Sequence, residues 1–142
     1  MKALTLWPEW AYAVHHLGKR VENRTWAIPV GQWFALHAGA HVGGRASKAA
    51  HLEGIESLAF MAERAHMRIP QHRLDIELSA ILGRFRVVRN DAPGEGDLTG
   101  WRVPGQIGNV FEYEPLAWAL PCKGAQGFWT VPDDVLIPEG WR

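Results

Sequence analysis
Turn-forming residues divide this chain into short strand-like runs and leave room for only two helices, over residues 8–17 and 46–66. Pro8 suits the first turn of the earlier helix, Trp10, Ala11, Val14 and Leu17 share one face of it, and Gly18 is its stop. In the later helix Leu52, Ile55, Leu58, Ala59 and Ala62 recur at spacings of three and four, which predicts one apolar stripe, with Pro70 just beyond the end. Strands are expected over 2–6, 21–26, 31–38, 78–88, 108–114 and 128–131, with a further short segment over 116–120. The run 31–38 is almost continuously apolar and is predicted to be central. Gly83 marks a bulge or a close backbone approach. Residues 91–105 hold four Gly and two Pro and are expected to be the least structured stretch, and Pro132 is expected to open a last helical turn. Strands outnumber helices without a regular βαβ alternation. The expected fold is therefore α+β, a small, mostly antiparallel β-barrel with helices packed outside it.

The totals narrow the function classes. With 142 residues, one domain spanning 1–142 is expected. No run approaches the roughly 18 apolar residues that cross a bilayer, and Met1-Lys2 leads into a strand-like segment with no signal-peptide core. No membrane partner and a cytoplasmic location are the expectation. The lone Cys122 excludes an internal disulfide and a Cys-rich zinc site, and reads as a small buried hydrophobe. A net charge of zero argues against a sequence-blind duplex binder. The charge is uneven, however: residues 1–52 carry six Lys/Arg against two Asp/Glu, and residues 90–142 carry three against eight. A basic face built from the N-terminal third is thus available. Most of the eight Trp are expected in the core, with one or two left to line a ligand site.

The most informative side chains surround the first helix. Trp7 and Trp10 bracket its entry and read either as a stacking platform for bases or as core, Trp10 more readily as core. Glu22 and Arg24, two apart on a strand, share a face, and Lys19 lies in the turn just upstream. One carboxylate between two cations can accept from an exocyclic amine while the cations hold phosphate or carbonyl oxygen, or it can do acid/base work. On spacing alone, the same trio reads as a surface ion-pair cluster. His37 and His41 lack a third ligand at a zinc-site spacing, so His37 reads as a hydrogen-bonded core residue and no metal site is expected. His15-His16 at the helix end read as equally structural. Arg84 and Arg86 alternate on one strand face, and Lys123-Gly-Ala-Gln-Gly127 is either a hairpin turn or an anion-binding concavity.

In sequence order, Lys2-Ala-Leu-Thr-Leu-Trp7 with Trp10, Lys19-x-x-Glu22-Asn-Arg24-x-Trp26, Leu36-His-Ala-Gly39, Ala80-Ile-Leu-Gly83 and Pro121-Cys-Lys-Gly-Ala-Gln-Gly-Phe-Trp129 make the chain resemble an ASCH domain. This is the activating-signal-cointegrator homology branch of the PUA-like superfamily. The resemblance implies a β-barrel flanked by helices, with a cleft lined by the Lys19, Glu22 and Arg24 segment that takes RNA or a modified nucleobase. In it Lys19 and Arg24 contact phosphate or carbonyl oxygens, Glu22 accepts from an amine, Trp7 or Trp26 stacks, and Lys123 and Gln126 form the opposite wall. Relatives also include enzymes, one branch deacylating an acetylated cytidine and another described as a magnesium-dependent ribonuclease. The alternative is therefore a small ribonuclease or amidohydrolase-like enzyme with Lys19 and Glu22 as acid/base candidates and Mg2+ as its cofactor. The deacylase branch carries Thr where this chain has Glu22, so that activity is not carried over.

Overall fold
The computed structural model describes residues 1–69, 74–94 and 99–142. Pro70 and Gly96 lie outside them, as does part of the 91–105 stretch. Six strands and two α-helices follow in the order β1 (Lys2–Leu6), α1 (Pro8–Leu17), β2 (Val21–Arg24), β3 (Trp33–Ala38), α2 (Lys48–Arg64), β4 (Ala80–Asp91), β5 (Ile107–Pro121) and β6 (Phe128–Thr130). The strands form one sheet in the order β2-β5-β4-β3-β1-β6, antiparallel at every pair except β1 with β3. β3 is internal, as its apolar run predicts.

The sheet curls into a half-barrel whose edge strands β2 and β6 are not paired with each other, and rings bridge the space beside them. Phe128 on β6 stacks on Phe34 at 4.6 Å between centroids and meets Trp26, two residues past β2, edge-on at 5.5 Å. Strand alternation divides the side chains between two faces. Leu4, Leu6, Phe34, Leu36, Leu82, Phe85, Val87 and Phe111 fill the concave core, and Ala11 and Val14 of α1 join them. Ala3, Ala35, Ile81, Cys122 and Val131 point the other way and form a smaller cluster against the C-terminal segment, including Val135 and Ile137. A third cluster joins the helices, with Tyr12, Ala13 and Leu17 of α1 against Leu58, Met61 and Ala62 of α2 and the buried Trp101. No helix among the described residues is long and apolar enough to cross a membrane.

Local chemistry explains the ends of α1. Pro8 occupies its first turn, and Gly18 closes it at φ 73°, the left-handed conformation that glycine adopts without a Cβ penalty. Glu9, only 1% exposed, accepts the Gly43 backbone N–H with both carboxylate oxygens at 3.0 and 3.2 Å, and a Cβ on Gly54 would fall 2.4 Å from Glu9 Oε2. One buried acid thus joins α1, the 42–44 turn and α2. Burial pushes its pKa up against the opposing pull of those N–H donors.

The structure corrects several expectations. The buried positions of α2 are Ala50, Gly54, Leu58, Met61 and Ala62, whereas Leu52 is 53% exposed and Ala59 is also exposed, because α2 meets its neighbours through the Gly54 side. The segments expected over 108–114 and 116–120 belong to one strand, with residues 116–119 bulged out between the Gly83–Pro115 and Ile81–Leu120 pairs. Residues 132–135 form a hydrogen-bonded turn, not a helical one, with Val135 N donating to Pro132 O. Only Trp101 of the eight Trp is buried, and Trp7, Trp26 and Trp118 are exposed.

Gly83 occupies the predicted close approach: a Cβ there would lie 2.4 Å from Glu114 O and 2.6 Å from the Tyr113 hydroxyl, beside register shifts on both flanking strands. Gly83→Ala is expected to cost about 1–3 kcal/mol, measured as a lower urea midpoint. An unchanged midpoint would show that the β4–β5 bulge opens freely.

Candidate functional site
The turn after α1 runs straight into edge strand β2, and this brings three charged side chains together. Lys19, 2% exposed, follows the Gly18 cap, and its backbone N–H donates to Ala13 O. Its Nζ lies 3.4 Å from Glu22 Oε1 and 5.8 Å from the centre of the Trp10 ring. From the same side of β2, Arg24 brings Nε and Nη2 each to 3.1 Å from Glu22 Oε2. The guanidinium also lies over Trp26 at 5.5 Å. Glu22 therefore sits between two cations, each of which also contacts an indole.

This group opens onto a cavity of about 620 Å3. Of the residues expected from sequence, Trp7, Lys19, Glu22, Arg24, Trp26 and Gln126 line it, and Trp10 joins them as wall rather than pure core. Lys123 is exposed and is not among the lining residues, because the loop turns Gln126 toward the cavity three residues later. Trp7 ends β1 and precedes α1, 55% exposed, and packs against Gly44: a Cβ there would lie 2.4 Å from the indole. The Gly43-Gly44 pair is thus more than a turn, since Gly44 seats one aromatic wall.

Other contributors have roles that the sequence does not assign, because they act across the fold. Asn23 donates from Nδ2 to Trp101 O at 2.9 Å and accepts from Val103 N at 2.9 Å, which fixes the segment that supplies Val103 and Gln106 to the cavity. Asn109, fully buried, donates to Glu22 O and accepts from Ile28 N, which holds the β2 backbone in place. Thr5 lines the cavity and belongs to a buried relay. His37 Nε2 donates to Cys122 O at 2.6 Å, so its Nδ1 accepts from the Thr5 hydroxyl at 3.0 Å, and Trp129 Nε1 donates to the same oxygen at 3.0 Å. His37 is the hydrogen-bonded core residue its sequence context suggests, and it also anchors the start of the loop that carries Gln126.

A larger hollow of about 840 Å3 lies between the 42–47 segment and α2. Its lining is mainly apolar, with His41, Arg45 and His51 among it, and it includes none of the charged trio. The smaller cavity is therefore the better candidate, because unlike the larger hollow it combines a clamped carboxylate, cations and partly exposed indoles. Arg84 and Arg86 lie away from both cavities, paired with Glu114 and Glu112 and covering Trp33 at 4.2 and 4.7 Å. Cys122 is buried as expected. No protein-family model matches this chain, and no curated protein matches it.

Burial lowers the His37 pKa from its ordinary 6.5, with the Cys122 carbonyl opposing. Above that value both folded and unfolded chains are neutral here. Below it the unfolded chain takes up a proton that the fold resists, so stability falls as pH drops from 6.5 through the folded value, with a slope of up to about 1.4 kcal/mol per pH unit. His37→Gln is expected to remove this component, read as the difference between wild type and variant in denaturant midpoints across that range. Parallel curves would show that His37 does not resist protonation.

Proposed function
We propose that this protein binds RNA or a nucleobase-containing ligand in the cavity beside β2, as an ASCH-type, PUA-like domain. The observation that carries the reading is the convergence of Trp7, Lys19, Glu22, Arg24, Trp26 and Gln126 on one cavity of about 620 Å3, a size suited to a small organic ligand. The α+β half-barrel with helices outside it and the order of the sequence motifs support the same reading.

Each wall contributes a distinct chemistry. Trp7 and Trp26 offer partly exposed indole faces, and base–aromatic stacking contributes about 1–3 kcal/mol per base. Glu22 Oε1 keeps acceptor capacity beyond its Lys19 contact, enough for an exocyclic amine. Arg24, less buried than Lys19, reaches phosphate or carbonyl oxygen at the mouth. Gln106 and Gln126 add uncharged polar groups that can read the edge of a base.

Intrinsic fluorescence titrations with nucleosides and short single-stranded RNAs test this. Saturable binding is expected, weakened about 5- to 150-fold by Trp7→Ala and unaffected by Trp118→Ala. Arg24→Ala is expected to flatten the salt dependence for RNA. No binding at millimolar ligand would overturn the proposal. Cleavage of labelled RNA that is abolished both by EDTA and by Glu22→Gln would instead assign the site to a magnesium-dependent ribonuclease, with the Lys19–Glu22 pair as its acid/base group.

A further inference from the structure
At the C-terminal end of α1, outside the cavity, a second group of side chains gathers. Among the described residues, His15, His16 and Glu77 bring one donor atom each to within 4.8 Å of one another. The two histidines come from adjacent positions in the last turn of α1, and Glu77 comes from the irregular segment that leads into β4. His16 Nε2 lies 2.8 Å from Glu77 Oε1, and the two imidazole rings stand edge to face at 4.7 Å and 89°. We propose that these three residues form a binding site for a single transition-metal ion of the zinc class.

Three observations distinguish the group from a plain His–Glu ion pair. The first is Glu77 Oε2, which is buried and has no hydrogen-bond partner among the described residues. Such an oxygen costs about 1–3 kcal/mol unless something supplies positive charge, and a cation bound by the carboxylate does so. The second is the hold on His15. Its Nδ1 is engaged by the Tyr113 hydroxyl at 2.6 Å, so Nε2 is the nitrogen left for a metal. A hydrogen bond on one imidazole nitrogen that orients the other is the usual outer support of a metal-binding histidine. The third is the packing of His16 against the Tyr12 ring at 4.6 Å, which restricts its rotation.

Geometry and donor type select the ion. Zinc bonds of about 2.0–2.2 Å in a tetrahedron place donor atoms about 3.3–3.6 Å apart, within reach of side-chain rotations from the present spacing of up to 4.8 Å. Two imidazoles and one carboxylate leave the fourth position for water or another ligand. The Arg20 guanidinium lies over the Tyr113 ring at 5.2 Å and donates to Val14 O and Lys19 O. That neighbouring positive charge opposes a cation held by electrostatics alone. The nitrogen donors therefore supply the affinity, which disfavours Mg2+, an ion that prefers oxygen ligands. A bound ion would clamp the end of α1, by way of His15 and Tyr113, to β5 and to the 74–79 segment.

The test is calorimetric titration of the untagged full chain with Zn2+ and, separately, with Mg2+. One zinc per chain is expected, with affinity on the order of micromolar, and no heat from Mg2+. His16→Ala and Glu77→Gln are each expected to weaken zinc by about tenfold or more, while His41→Ala is expected to bind as wild type does. The His16 side chain is 38% exposed at the helix end, so its variant is expected to remain folded, which circular dichroism checks. Absence of zinc binding at about 100 µM, far above the expected micromolar affinity, would overturn the proposal. So would folded His16→Ala and Glu77→Gln proteins that bind zinc as tightly as wild type.

Discussion
The Glu22 carboxylate, held between Lys19 and Arg24, is the interaction on which the arrangement of the site depends. Lys19 is buried at the point where α1 hands over to β2, and an ammonium is tolerated there because charge and hydrogen bonding compensate for lost hydration. Removing one partner of a buried pair costs far more than the pair itself contributes, so Glu22 fixes how the α1 turn meets the edge strand. Asn109 completes this from behind by holding the Glu22 backbone against β5. The same carboxylate thus has two roles: it makes the turn rigid, and it presents acceptor oxygens to the cavity.

The half-barrel places the cavity near its open seam. A fully closed barrel would pair β2 with β6 and fill the gap with ladder hydrogen bonds. Here the edges touch through Trp26 and Phe128, and the residues just before β6 become wall together with β2 and the α1 entry. The rigid parts of the wall come from buried relays, Asn23 for the 101–103 segment and His37 with Thr5 for the loop that begins at Cys122. The partly exposed indoles Trp7 and Trp26 stand at the rim.

Local chemistry made much of this legible in the sequence. Pro8 and Gly18 bound α1 because proline and glycine act through backbone conformation that needs no tertiary context. The apolar run of β3 identified a strand covered on both faces. Periodicity held in part for α2: Leu58 and Ala62 are buried as expected, whereas Leu52 and Ala59 of the same stripe are exposed, the packed face being shifted toward Gly54, which lies against Glu9. The tryptophans were misjudged for a related reason: hydrophobic size predicts burial only while core volume lasts, and the core is filled largely by aliphatic and Phe side chains. The charged trio was suggested by the ASCH resemblance rather than by spacing, which read it as a surface ion-pair cluster. Thr5 and Asn23 stand within the motif runs but had no role assigned, and Glu77 carried no signal, because their partners are 32 or more residues away.

The most direct measurement is a two-dimensional NMR titration that follows the Trp Nε1–H and Arg Nε–H signals as a nucleoside is added. The account predicts that Trp7, Trp10, Trp26 and Arg24 shift together along one binding curve while Trp118 and Trp33 stay in place. Shifts confined to Trp118 or Trp33, or none at saturating ligand, would contradict it.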